Sequence, residues 1–202
     1  MVWMGPQRPV PSGPPVIADG LFGTTPVATP GGWLPAAELV PGDTVLTFDG
    51  GVQQVTALFR APFLEGPADL WPLRVPVWAL DNRDEMILLP QQKVLIESDQ
   101  AELLFGDPFA LIPADALEHW RGIARFRPSA PAEVVQLRFD RPQVIYASRG
   151  VLLSCAGEAW EAEDWTAPAH TVCSQSQARH LVACLMAEEA GAAIGQQRLQ
   201  GD

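Results

Sequence analysis

Residues Thr24 to Thr47 read TTPVATPGGWLPAAELVPGDTVLT. Pro26-Val27-Ala28-Thr29 is a strand-like stretch, closed by the turn residues Pro30-Gly31-Gly32. Ala36 to Val40 has room for one helical turn before Pro41-Gly42-Asp43 interrupts it. Thr44 to Phe48 alternates polar and apolar residues as a half-buried strand does, and Asp49-Gly50-Gly51 supplies a hairpin-type turn. Four-to-eight-residue segments separated by Pro-Gly punctuation mark a domain of short strands rather than βαβ units.

The same grain extends outward. Val52 to Phe59 continues as a strand, and a proline-containing connection spans 62–76. Met86 to Leu89, Val94 to Ile96, Val134 to Phe139 and Val144 to Tyr146 are further strand candidates. The C-terminal stretch differs. Ser174-Gln175-Ser176-Gln177 resembles a capping box, and Ala178, Leu181, Val182 and Leu185 follow at helical spacing. This helix is expected to run to about Ala190 and to stop near Gly191 to Gly195. At the other end, residues 1–18 carry Pro6, Pro9, Pro11, Pro14 and Pro15 and read as an extended, polyproline-like arm or as a disordered tail, the latter favoured. The expected organisation is therefore an arm over 1–18, a β domain over 19–168 and a helical appendage over 169–202.

A chain of 202 residues can bury a core without disulfides or metal. Its 24 acidic and 13 basic residues give a net charge of −11, which disfavours nucleic acid and anionic membranes as partners. The acidity serves solubility. Cys155, Cys173 and Cys184 are an odd number placed too far apart for a disulfide framework. The opening MVWMGPQRPVPSGPPV lacks the apolar region of a secretory signal, and no run is long enough to cross a membrane as a helix. A cytoplasmic location is expected, with signal-less export left open.

Thr24 to Thr47 is similar to the opening of bacterial Hint (hedgehog/intein) domains, with Ala28 to Gly32, Glu38-Leu39 and Pro41-Gly42-Asp43 in matching order and spacing. Leu89-Pro90-Gln91-Gln92-Lys93-Val94-Leu95 resembles that family's "SPQHRVLL" segment, and Leu137 to Ile145 resembles its "LLFDRHEVI" segment. The resemblance implies a mostly β Hint-like fold of short strands with a C-terminal helix. It also implies self-processing, in which the first residue of the domain attacks the carbonyl before it and a histidine protonates the departing amide nitrogen. At the matching positions this chain has Gly20 for the nucleophile, Leu89 for a hydroxyl residue, Gln92 for the histidine and Pro142 for a second histidine. Glycine has no side chain with which to attack, and an amide does not shuttle protons near neutrality. Thr24 and Thr25 are the hydroxyls close enough in sequence to substitute, although β-branched residues also suit the start of a strand.

Three function classes follow. The favoured one is a degenerate Hint domain without a cofactor, a protein-binding or structural module rather than an enzyme, whose expected partner is another protein or a second copy of itself. The second is an autoprocessing domain that still cuts near Asp19-Gly20. The third is a metal-binding module built on His170, Cys173, His180 and Cys184, residue types that suit zinc although the gaps are short for a finger. Cys155 reads as a buried structural thiol, and Glu158, Glu161, Glu163 and Asp164 as a solvated acidic loop. If several of the seven tryptophans prove exposed they would mark a protein interface, with Trp3 in the proline-rich arm the most suggestive.

Overall fold

A computed structural model describes residues 17–128, 131–157 and 170–200. The first hairpin joins β2 (Pro26–Thr29) to β3 (Gly32–Pro35), after the two-residue β1 (Leu21–Phe22). A one-turn 3₁₀ helix at Ala36–Glu38 leads to the hairpin of β4 (Thr44–Thr47) and β5 (Gly51–Gln54). The turn of that hairpin is tied by Thr47, whose hydroxyl accepts from Gly50 N–H and donates to Gly51 O.

The single strand expected over Val52 to Phe59 is instead two. At Val55 the chain crosses to Asp43, with Val55 N–H donating to Asp43 O and Gly42 N–H to Val55 O, both at 2.8 Å. Beyond this break β6 (Ala57–Pro62) pairs along the length of β12 (Glu133–Phe139), a partner distant in sequence. The connection expected over 62–76 also contains β7 (Leu73–Val75), which joins β8 (Met86–Leu88) and β11 (Ala124–Arg125) in a small three-stranded sheet.

In the larger sheet, β9 (Lys93–Glu97) lies between β10 (Phe109–Pro113) and β14 (Val151–Gly157), and β14 continues to β13 (Gln143–Ala147) and β2. β15 (Thr171–Val172) adds to β10 in parallel. Helix α1 (Asp99–Phe105) was not anticipated from the sequence. The Ser98 hydroxyl caps its start by accepting from Ala101 N–H, and Gly106 ends it in the left-handed region at φ 77°.

Helix α2 (Gln175–Gln200) passes the glycines expected to stop it. Its capping box forms as read, with Ser174 N–H donating to Gln177 Oε1 at 2.9 Å and Gln177 N–H to Ser174 Oγ at 3.4 Å. The helix is part of the domain rather than appended to it. Ala178, Leu181, Val182 and Leu185 are buried in the same core cluster as Ile112, Leu117 and Leu153. Farther along, Glu189 accepts from Trp120 Nε1 at 3.1 Å and Arg121 Nε at 2.8 Å. Among the described residues no helix is long and apolar enough to cross a membrane.

Ile17 and Ala18, expected within the arm, make contacts with the β domain. Ile17 packs against the small apolar cluster of Phe22, Phe63, Leu89 and Val134, and Ala18 O accepts from Gln91 N–H at 2.8 Å. Residues 1–16 lie outside the described residues.

Candidate functional site

The edge of β12 opposite β6 has two successive partners. β1 pairs with Val134 and Val135, whereas β14 pairs in parallel with Arg138 and Phe139. The peptide joining Asp19 to Gly20 lies in the fork between them, in a cleft lined by Gln92, Gln136, Leu137, Ser154 and Cys155.

Both sides of this peptide are held by side-chain amides. Gly20 N–H donates to Gln92 Oε1 at 3.0 Å. Gln136 Nε2 donates to Asp19 O at 3.3 Å and to Asp19 Oδ1 at 2.8 Å. The nitrogen that would depart in an acyl shift therefore faces Gln92, and the carbonyl that would be attacked faces Gln136.

The orientation of the Gln92 amide is dictated by its other partners. Nε2 donates to Lys93 O at 3.0 Å and Ser154 O at 2.9 Å, and two carbonyls cannot be satisfied by an amide oxygen. The group facing Gly20 is thus an acceptor without a proton to give. Gln92 is held there by its turn. Leu89 is fully buried beside Phe22, Phe63 and Val134, Gln92 N–H donates to Leu89 O at 3.1 Å, and Gln92 O accepts from Ala114 N–H at 2.9 Å.

Gly20 adopts φ +116°, a conformation that L side chains rarely take. A Cβ there would stand 2.9 Å from Val134 Cγ1 and 3.2 Å from Val135 O. The backbone there suits glycine, and any side chain at this position would be strained.

Cys155 lines the same cleft, which the sequence did not foretell. Burial pushes its thiol up to about 12, opposed by the nearby Arg138 guanidinium and reinforced by the Asp19 carboxylate. Near pH 7 only about one thiol in 10⁵ is then ionised, so the nucleophilic form is scarce. In the folded protein, a thiol-labelling reagent is expected to modify the half-exposed Cys184 and to spare Cys155 and Cys173, with all three reacting in denaturant. Rapid labelling of Cys155 would contradict its burial. The raised thiol has a second consequence, because the unfolded chain ionises near 9.0 and the folded one near 12. Its contribution to stability is complete below pH 9 and is lost progressively from pH 9 to 12. Urea midpoints across that range, compared with a Cys155→Ala variant, measure it.

The other expected positions are placed away from this peptide. Pro142 is in the turn between β12 and β13, where a Cβ on Gly157 would come within 2.8 Å of it. Thr24 is exposed and Thr25 buried just before β2, and neither lines the cleft. About 30 Å³ of the cleft is open to water, enough for about two waters and too little for a small-molecule substrate.

The four His and Cys residues considered for metal are dispersed. His170 packs against the rings of Phe48 and Phe109, Cys173 is buried in the core, and His180 and Cys184 pair on α2. Among the described residues, no group of three or more His, Cys, Asp or Glu side chains is arranged to hold a metal ion. Trp33 and Trp78 are exposed, at 41% and 58%, whereas Trp120 is buried. Trp3, Trp160, Trp165 and the acidic residues Glu158, Glu161, Glu163 and Asp164 lie outside the described residues.

The Hint domain family matches this chain over residues 21–153. That is well over half of its length, and the protein belongs to the Hint domain family. Among solved structures it is similar to a bacterial intein-like domain from Clostridium thermocellum, at TM-score 0.47 and 11% identity over 66% of this chain and 96% of that one. A variant of the MchDnaB-1 intein is similar at TM-score 0.45 and 17% identity, over 67% of this chain and 99% of that one. No curated protein matches the chain.

Proposed function

We propose that this protein is a Hint domain that no longer processes itself and that serves as a protein-binding or structural module. The observation that carries the reading is the Gln92 amide at the Asp19–Gly20 peptide. Its oxygen accepts from Gly20 N–H and its nitrogen is bound to Lys93 O and Ser154 O. Self-cleavage needs a nucleophile before the scissile carbonyl and an acid beside the leaving nitrogen. Gly20 provides no nucleophile and Gln92 no acid. What remains is a hydrogen-bonded fork that locks the start of the domain onto β12.

Support for a binding role comes from the surface. Trp78 and Val77 are exposed on a loop organised by fully buried Asn82, which donates to Pro76 O and Asp84 O and accepts from Leu80 N–H. A large aromatic held out by a well-bonded loop loses little freedom on docking, which is what an interface anchor requires. The three free thiols suit a reducing compartment such as the cytoplasm.

The test is the intact mass of the full-length protein during prolonged incubation with and without dithiothreitol. The expected result is an unchanged mass in both. Thiol-accelerated loss of residues 1–19 from the folded protein, absent after denaturation, would overturn the reading in favour of an autoprocessing domain.

A further inference from the structure

We propose that His180 and Cys184 form a two-residue chelate for zinc or a similar divalent cation on the outer face of α2. His180 Nε2 and Cys184 Sγ stand 4.0 Å apart, one turn from each other. In a tetrahedral zinc site, Zn–S near 2.3 Å and Zn–N near 2.0–2.1 Å place the two donor atoms about 3.5 Å apart. The pair is therefore about half an ångström from the bite that the metal requires, a difference that small side-chain rotations close.

The frame that carries the pair is rigid. Leu181, Val182 and Leu185 are buried in the core, and Glu189 fastens the next turn to Trp120 and Arg121. His180 is exposed and Cys184 half-buried, so a cation reaches both from solvent. Cys155 and Cys173 are buried and do not compete for it in the folded chain.

The chemistry balances simply. The neutral imidazole donates its Nε2 lone pair, and the Cys184 thiol releases its proton to solvent as the metal–sulfur bond forms. A net charge of −11 favours the approach of a cation. Two of the four tetrahedral positions stay open, for water or for the same pair from a second copy. The pair lies beyond the matched residues 21–153, so the site stands or falls independently of self-processing.

The experiment titrates the reduced full-length protein with Zn²⁺ in competition with a chromophoric chelator. His180→Ala, Cys184→Ser and Cys173→Ser are compared with the wild type. Saturable binding is expected, weakened about tenfold or more by either of the first two changes and unaffected by the third. Cobalt(II) in place of zinc should give thiolate charge-transfer absorption that is absent in Cys184→Ser. One metal per two chains means that a second copy completes the site, and one metal per chain means that solvent does. The proposal is overturned if the wild type does not compete for zinc, or if His180→Ala and Cys184→Ser bind as it does. Both residues have surface access, so loss of binding in these variants with unchanged circular dichroism is not a folding effect.

Discussion

Replacing Gln92 with leucine is expected to lower the unfolding free energy by about 3 kcal/mol, measured by urea denaturation. Leucine is of similar size, so packing changes little, and the loss is one of hydrogen bonding. Gln92 is 3% exposed and has three partners there, Gly20 N–H, Lys93 O and Ser154 O. Each buried group left without a partner costs roughly 1–3 kcal/mol, and water in the small cleft recovers part of it. Gln92→His should cost less, because a ring can accept from Gly20 and still donate to one of the carbonyls. If the leucine variant unfolds within about 0.5 kcal/mol of wild type, Gln92 is not the fastener described here.

The second large effect concerns Gly20. Gly20→Cys restores the residue type that the family's chemistry uses, yet it is expected to destabilise the protein by about 3 kcal/mol and to leave the chain uncut. A side chain at φ +116° is strained by itself. Its Cβ would also meet Val134, which is 1% exposed and has little room to move, and Gln136, whose amide is engaged by Asp19. A new thiol would still face a leaving nitrogen whose neighbour is the Gln92 oxygen. Urea midpoints and intact mass read the two parts separately. A variant as stable as wild type would refute the strain, and shedding of residues 1–19 would refute the lost chemistry.

These two residues also show where reading the sequence stops. The segment Leu89 to Val94 suffices to single out Gln92 as an amide where the resembling family segment has a histidine. The three partners of that amide were not readable, since Ser154 is 62 residues away and Gly20 is 72. Gln136 is, by sequence, one more residue of a strand, and its grip on Asp19 spans 117 residues. Helix α1 escaped notice because its seven residues bury chiefly Ala101 and leave Leu103 exposed, so no apolar stripe marks it. Its identity lies in the ends, Ser98 and Gly106.

Local chemistry accounts for what was legible. The alternation of Thr44 to Thr47, the turn at Gly31-Gly32 and the Ser174 capping box are set by neighbours a few residues apart, so they form much as read. That Gly20 has no side chain and Gln92 no titratable group are likewise facts of residue identity. Tertiary structure decided the rest. The strand over Val52 to Phe59 breaks because Val55 finds Asp43 and β6 finds β12. Helix α2 continues through Gly191, which keeps out of the left-handed region that ends α1 at Gly106, and the helix is bound to the domain before that residue, at Leu185 and Glu189. Long-range closure selected these partners, since burying a shared core and pairing each backbone group outweighs preferences of a few tenths of a kcal/mol per residue.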